Sequence, residues 1–243
     1  MRAVIIAAGT GSRLGEYSKD KPKTLVEVSG TPILGYTLNS LIKEDITDIV
    51  IVTGYMGEKI KEFINKNYAN KLNVSYVHND IYDKTNNIYS IYLAKNELVG
   101  SDFMLINSDV LFHEGILQAL KRSEKRGVIL SVDFTVKLGE EEMKVKIEGD
   151  TIVKISKKIP PEEADGEYIG LTRIDKDFSR VFFESVERTI EEKGTGVFYE
   201  EAFQTMIDDG NEIHYESTKG LPWIEIDTPE DLKVAQEVIA PRL

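Results

Sequence analysis

Apolar residues in this chain follow two rhythms. Short apolar stretches occur at 3–8 (Ala-Val-Ile-Ile-Ala-Ala, unbroken), 46–52 (Ile-Thr-Asp-Ile-Val-Ile-Val, apolar from Ile49) and 103–106 (Phe-Met-Leu-Ile). Runs of this kind predict strands buried on both faces, and Leu72 to His78 predicts a further strand. Between the strands, apolar positions recur at helical spacing. Ile33, Leu34, Tyr36, Leu38, Leu41 and Ile42 follow Thr31-Pro32, and Ile60, Phe63, Ile64 and Tyr68 stripe the segment from Glu58 to Tyr68. Two more helices are expected over Ile88 to Leu98 and Glu114 to Lys125. Strand and helix alternate through short connections, which predicts a parallel sheet with helices on both faces.

After about residue 127 the alternation gives way to shorter strands. Val128 to Phe134 and Ile169 to Ile174 read as strands, and 145–147 and 152–155 flank Glu148-Gly149-Asp150 as a hairpin. A helical region runs from Phe178 to about Glu192, and Gly194-Thr195-Gly196 separates it from a shorter helix over Glu200 to Ile207. Ile213 to Glu216 and Trp223 to Ile226 are short strands. Thr228-Pro229-Glu230-Asp231 then opens the last helix, with an N-cap, a proline in the first turn and acids at the positive end of the dipole. No linker or repeat interrupts the chain. The expected organisation is one continuous domain over 1–243, with a nucleotide-binding half at 1–126 and an acceptor-binding half at 127–243.

Composition narrows the possible partners. With 30 basic against 42 acidic residues the net charge is −12, which argues against nucleic-acid or anionic-membrane binding. A phosphorylated substrate then needs a local basic pocket or a metal ion. There is no cysteine, so disulfides and thiolate metal sites are excluded. The histidines, at 78, 113 and 214, lack the spacing of a zinc site. No apolar run approaches the ~18 residues of a membrane span, and the first strand begins almost at once, so a cytoplasmic location is expected.

Candidate chemistry gathers where the first strand ends. Gly9, Gly11 and Gly15 follow within a few residues, with Arg13 among them and Lys21-Pro22-Lys23 behind. Bare backbone beside cations suits a nucleoside triphosphate. The spacing excludes two common phosphate loops. A dinucleotide fingerprint would need glycine at 14, where Leu14 stands, and no Gly-Lys-Ser/Thr of a Walker loop follows. Asp109 ends the 103–106 strand through Asn107-Ser108, and Asp227 stands where a strand meets a helix start. Both can serve as metal ligands or as helix caps, and together they would offer Mg²⁺ two carboxylates.

The loop Gly9 to Gly15 with Lys23, Asn-Ser-Asp at 107–109 and Glu-Ile-Asp-Thr at 225–228 resemble the nucleotidyltransferase superfamily that includes the sugar-nucleotide pyrophosphorylases. The segment Asn79 to Ser90, with Asn86-Asn87-Ile88-Tyr89-Ser90, resembles the phosphocholine and inositol-1-phosphate cytidylyltransferases within it. The resemblance spans the whole chain. It implies an α/β, Rossmann-like, mostly parallel sheet with helices on both faces and acceptor-binding β-rich insertions in the second half. It further implies that the backbone at Ala7, Ala8 and Gly9, with Asn79, meets the base, and that Asn87 and Ser90 lie near the nucleoside. Gly11 and Arg13 would hold the β- and γ-phosphates, Lys23 the α-phosphate, and Asp109 and Asp227 a Mg²⁺ ion. Lys157 falls where related enzymes place a lysine on the acceptor phosphate, although Lys154 and Lys158 adjoin it in an ordinary basic run.

The implied reaction is Mg²⁺-dependent transfer of CMP from CTP to a phosphorylated alcohol, with release of pyrophosphate. Two other readings are a sugar-1-phosphate uridylyl- or thymidylyltransferase and a non-catalytic nucleotide-binding regulatory protein. Phosphocholine as acceptor would want an aromatic and acidic cage, for which Tyr199, Glu200, Trp223 and Glu225 are available. Tyr199 matches the position of a cage tyrosine in choline-type enzymes. Met143-Lys144-Val145-Lys146 stands where those relatives carry an aromatic, and lysines there would suit a neutral polyol phosphate such as inositol 1-phosphate.

Overall fold

A computed structural model describes all 243 residues. Its first half comprises β1 (Arg2–Ala7), β2 (Glu27–Val28), β3 (Thr31–Pro32), α1 (Ile33–Lys43), β4 (Asp48–Thr53), α2 (Gly57–Tyr68), β5 (Asn73–His78), α3 (Asn87–Leu93), α4 (Lys95–Leu98), β6 (Phe103–Asn107), β7 (Val110–Phe112) and α5 (Glu114–Arg122). The second half adds β8 (Val128–Asp133), β9 (Lys144–Glu148), β10 (Thr151–Ser156), β11 (Gly166–Ile174), α6 (Lys176–Lys193), α7 (Glu200–Asp208), β12 (Ile213–Ser217), β13 (Trp223–Glu225) and α8 (Pro229–Val234).

Nine strands form one sheet in the order β5-β4-β1-β6-β11-β8-β12-β10-β9. The first-half strands β5, β4, β1 and β6 are all parallel, as the alternation of strand and helix predicts. The expectation of a mostly parallel sheet describes that half. Beyond β6, β11 runs antiparallel to both β6 and β8, β12 lies parallel to β8, and the predicted β9–β10 hairpin pairs antiparallel. β9 also pairs with β11 at Gly166 and Glu167, so β11, β8, β12, β10 and β9 close on themselves. The second half therefore continues the sheet rather than decorating it.

Successive residues of β1 serve opposite faces, as the two-residue strand period requires. Val4 joins the core under α3, α6 and α7, with Val50, Leu105, Phe182, Phe183 and Phe203. Ile5 joins the other core, with Ile49, Ile51, Leu38, Ile60 and Leu117. Each fully buried Ile or Leu contributes about 1.5–3 kcal/mol relative to exposure. A third, smaller core holds Leu14, Val26, Ile33, Leu111, Ile226 and Leu232, and it fastens the glycine loop to the C-terminal helix.

Several predicted boundaries shift. Thr31-Pro32 forms a two-residue strand against Glu27–Val28 before α1 starts at Ile33. The helix expected over Ile88 to Leu98 is broken at Ala94 into α3 and α4, and the one expected to reach Lys125 ends at Arg122. Val110–Phe112 was not expected as a strand. It pairs with Trp223–Glu225 in a separate two-stranded ribbon.

Candidate active site

The glycine loop leaves the C-terminal end of β1, next to the end of its parallel neighbour β6. Gly11 has φ +65, and a Cβ there would stand 2.6 Å from Lys23 Cβ, so glycine at 11 is what lets Lys23 lie against the loop. Ser18 Oγ donates to the Gly11 carbonyl at 2.8 Å, and buried Leu14 anchors the following turn.

Lys23 is the centre of the site. Its Nζ donates to Asp109 Oδ2 at 2.7 Å and to Asp227 Oδ1 at 2.5 Å, while Arg13 donates to Asp227 Oδ2 at 2.7 Å. The β7–β13 ribbon brings the two aspartates together. Val110 pairs with Glu225, and the Asp109 carbonyl accepts from Ile226 N–H at 3.0 Å. Capping does not compete for Asp227, because Thr228 is the N-cap of α8 and Asp231 completes its capping box.

Burial by itself would lower the Lys23 pKa, but the charges and hydrogen bonds of Asp109 and Asp227 outweigh it and the pKa is raised. Burial pushes Asp227 up, yet Lys23 and then Arg13 overcome that push and hold it below the usual carboxylate range. Glu225 keeps an open face to solvent. The protein packed around its carboxyl, followed by the charges of Asp109 and Asp227, pushes it up to about 8. Carboxylate oxygens of Asp109, Glu225 and Asp227 lie within 4.8 Å of one another, an all-oxygen donor set of the kind hard divalent cations take.

These residues line one cleft of about 360 Å³ that runs from the glycine loop to β11 and to Met143 just before β9. Of the residues singled out in the sequence, Ala7, Gly9, Gly11, Arg13, Lys23, Asn87, Asp109, Lys157, Glu200, Glu225 and Asp227 line it. Asn107, Glu141, Met143, Glu167, Tyr168 and Phe198 line it as well, and sequence reasoning did not assign them. Asn107 lay within the Asn-Ser-Asp motif. Nothing local marks Glu141 or Glu167 in a chain with 42 acidic residues.

Other expected residues lie behind the wall. Asn79 and Ser90 are buried and bonded to each other, Asn79 Nδ2 to Ser90 Oγ at 3.2 Å. Asn79 Oδ1 meanwhile accepts from Ile81 N–H, so this side chain braces the 79–90 segment. Tyr199 is fully buried, which corrects its reading as a cage residue. Its hydroxyl donates to Asn107 Oδ1 at 3.1 Å and is shared with the Tyr168 hydroxyl at 2.8 Å. Trp223 is spent on Asp133, to which its indole N–H donates. Asn87 Oδ1 accepts from Tyr199 N–H at 2.8 Å, tying the start of α3 to that of α7.

The lysines at 144 and 146 likewise do not serve an acceptor. Lys144 is fully buried with its Nζ on the carbonyls of Gly139, Glu140 and Glu142, and Lys146 donates to the Glu163 carbonyl. Lys157 Nζ sits 5.0 Å from the centre of the Phe198 ring and 3.9 Å from Glu141 Oε2. Burial raises Glu200 to about 7 against the opposing pull of its own backbone N–H and of Lys157. Burial, then Glu142 and Asp133, raise Glu167 to about 8.

Comparison with known proteins fixes the family. Residues 2–172 match the family model described as nucleotidyl transferase. The chain belongs to the nucleotidyl transferase family. Among relatives of this nucleotidyl transferase, the CTP:phosphoglutamine cytidylyltransferase of Campylobacter jejuni is 30% identical over 208 residues, 78% of this chain and 80% of that one. The CMP-5'-(3-aminopropyl)phosphonate synthase of Streptomyces rubellomurinus is 37% identical over 129 residues, 53% of this chain but only 20% of that protein's length. The inositol-1-phosphate CTP transferase from T. maritima superposes with a TM-score of 0.80 at 23% identity, covering 98% of this chain and 97% of that one, a likeness of fold. No helix is long and apolar enough to cross a membrane.

Proposed function

We propose that this nucleotidyl transferase moves CMP from CTP to a small phosphorylated acceptor and releases pyrophosphate. The observation that carries the reading is Lys23 held between Asp109 and Asp227 at the mouth of the glycine loop, with Arg13 alongside. The names of the relatives above favour CTP as the donor.

Backbone at Ala7, Gly9 and Gly11 would approach the nucleotide, Arg13 its outer phosphates and Lys23 its α-phosphate. Lys157 would take the acceptor's phosphate. An oxygen of that phosphate forms a bond to the α-phosphorus while the bond from α-phosphorus to the bridging oxygen breaks, and pyrophosphate carries away the electron pair. A phosphate monoester dianion is already nucleophilic, so no general base is required. The task left to the protein is to align two anions and offset their repulsion, which Lys23, Arg13 and Lys157 do by fixed charge. Asp109 and Asp227, with Glu225 beside them, would hold Mg²⁺, which when bound supplies further positive charge next to the reacting phosphates.

Pyrophosphate release from each of the four NTPs with Mg²⁺, crossed with phosphocholine, inositol 1-phosphate and glucose 1-phosphate, tests the reading. Release is expected with CTP and falls roughly 10²–10³-fold in Lys23→Ala. Release confined to UTP or dTTP with glucose 1-phosphate would make it a sugar pyrophosphorylase. CTP binding without release for any acceptor would make it a binding protein.

A further inference from the structure

The acceptor end of the cleft gathers more carboxyl groups than cations. Glu141, Glu167 and Glu200 line it, with Lys157 as the cation among them. Behind Glu167 stand Asp133 and Glu142, whose charges act on it unfavourably, and Lys144 tempers it from the protein side. Glu200 is the sharper anomaly. The residue is only 5% exposed, and its Oε2 is buried without a hydrogen-bond partner. A carboxylate oxygen taken out of water with no donor costs free energy, and folds seldom retain one without a use for it. Burial is the main cause of the raised pKa of both Glu167 and Glu200, with Glu142 and Asp133 adding to it at Glu167.

The aromatic content of this end decides what kind of cation fits. A quaternary ammonium is held by the faces of several rings. Here Tyr199 and Trp223 lie outside the cleft, Tyr168 lines it but is buried with its hydroxyl tied to Thr172 and Tyr199, and the Phe198 ring already faces Lys157 Nζ. A primary ammonium brings N–H donors as well as charge, which the unpartnered Glu200 oxygen lacks.

Resting on the cytidylyl-transfer reading, we propose that the acceptor is a short phosphate monoester whose far end is a primary ammonium, seated on Glu200 and Glu167 while Lys157 holds its phosphate. The group transferred and the bonds made and broken are those given above; the ammonium takes no part in the chemistry.

The test compares 2-aminoethyl phosphate, phosphocholine and inositol 1-phosphate as acceptors for CTP with the wild-type protein and with Glu200→Gln and Glu167→Gln, whose folding is checked by thermal melts. The wild type should prefer 2-aminoethyl phosphate in kcat/KM. Removing one partner of a buried charge pair should shrink its preference over inositol 1-phosphate by about 10²-fold in Glu200→Gln. Phosphocholine or inositol 1-phosphate turned over as well as the amine, or a preference untouched in both variants, overturns the proposal and leaves cytidylyl transfer standing. Absence of pyrophosphate release from every acceptor overturns the transfer reading instead. Calorimetric binding of 2-aminoethyl phosphate to wild type against Glu200→Gln then decides the ammonium site on its own: tighter binding to wild type supports it, and equal or absent binding removes it.

Discussion

Val110 stands opposite Glu225 in a two-stranded ribbon, and this one register sets Asp109 beside Asp227. Lys23 bridges the pair in the free protein. Losing one preorganised electrostatic donor typically costs 10²–10³ in kcat, so Lys23→Ala should lower kcat roughly 10²–10³-fold. Asp109→Asn should lose at least as much. Steady-state pyrophosphate release measures both, and wild-type turnover in either variant would remove that residue from the reaction.

The same bridge has a consequence without nucleotide. Lys23 neutralises charge that a divalent ion would otherwise meet, since oxygens of Asp109, Glu225 and Asp227 lie within 4.8 Å of one another. Removing one cation at this distance should tighten Mg²⁺ or Mn²⁺ binding to nucleotide-free Lys23→Ala by roughly tenfold or more. Calorimetry or Mn²⁺ spectroscopy reads it. Equal affinity in wild type and variant would mean that these carboxylates do not form the cation's site.

Gly11 tests whether the loop positions the lysine. An alanine there would take φ +65 and press its Cβ 2.6 Å from Lys23 Cβ. A side chain held in the left-handed region costs roughly 1–2 kcal/mol, and a displacement of about 1 Å at a reacting group can cost about 10²-fold in rate. Gly11→Ala should show both losses. Gly9, where an added Cβ would meet nothing within 4 Å, is the control, and Gly9→Ala should leave the melting temperature nearly unchanged.

Buried acids make stability depend on pH. Glu167 is raised to about 8 and Glu200 to about 7, both above the range of an unfolded glutamate. Between the unfolded and folded values the native chain binds more protons than the unfolded one, so stability falls as pH rises through that window. The groups facing them are Lys157, Lys144, Asp133, Glu142, Tyr199 and Asp109. The wild type should melt about 3 °C or more lower at pH 8.5 than at pH 6, and Glu167→Gln with Glu200→Gln should flatten the slope. An unchanged slope in the double variant would show that these two groups do not carry it.

Tyr199 should behave as a core residue. Tyr199→Phe strips the donor from Asn107 Oδ1 and the partner from the Tyr168 hydroxyl, at a cost of about 1–3 kcal/mol for buried groups left unpaired. Denaturation should show the loss while the ranking of acceptors stays the same. A selective loss for phosphocholine would return Tyr199 to the acceptor site.

Much of this was legible in the chain. The strand at 3–8, the glycines after it, Arg13, Lys23 and the two aspartates at strand ends are local signals, and Gly9, Gly11, Arg13, Lys23, Asp109 and Asp227 line one cleft. The parallel first half followed from alternation. The cage reading failed because Tyr199 and Trp223 look the same in sequence whether they face a ligand or a core. The lysine argument failed because a side chain's direction along β9 depends on which carbonyls lie within its reach.

What the sequence determined by itself was the glycine-loop end of the cleft, since a strand, its loop and its flanking cations are neighbours along the chain. Only the tertiary structure decided the opposite end, lined by Glu141, Glu167 and Glu200. That end is assembled from β11, Glu141, Met143, Lys157 and the start of α7, far apart in sequence. Its decisive feature, a carboxylate oxygen shut away from water without a donor, is a property of packing that no spacing of letters encodes.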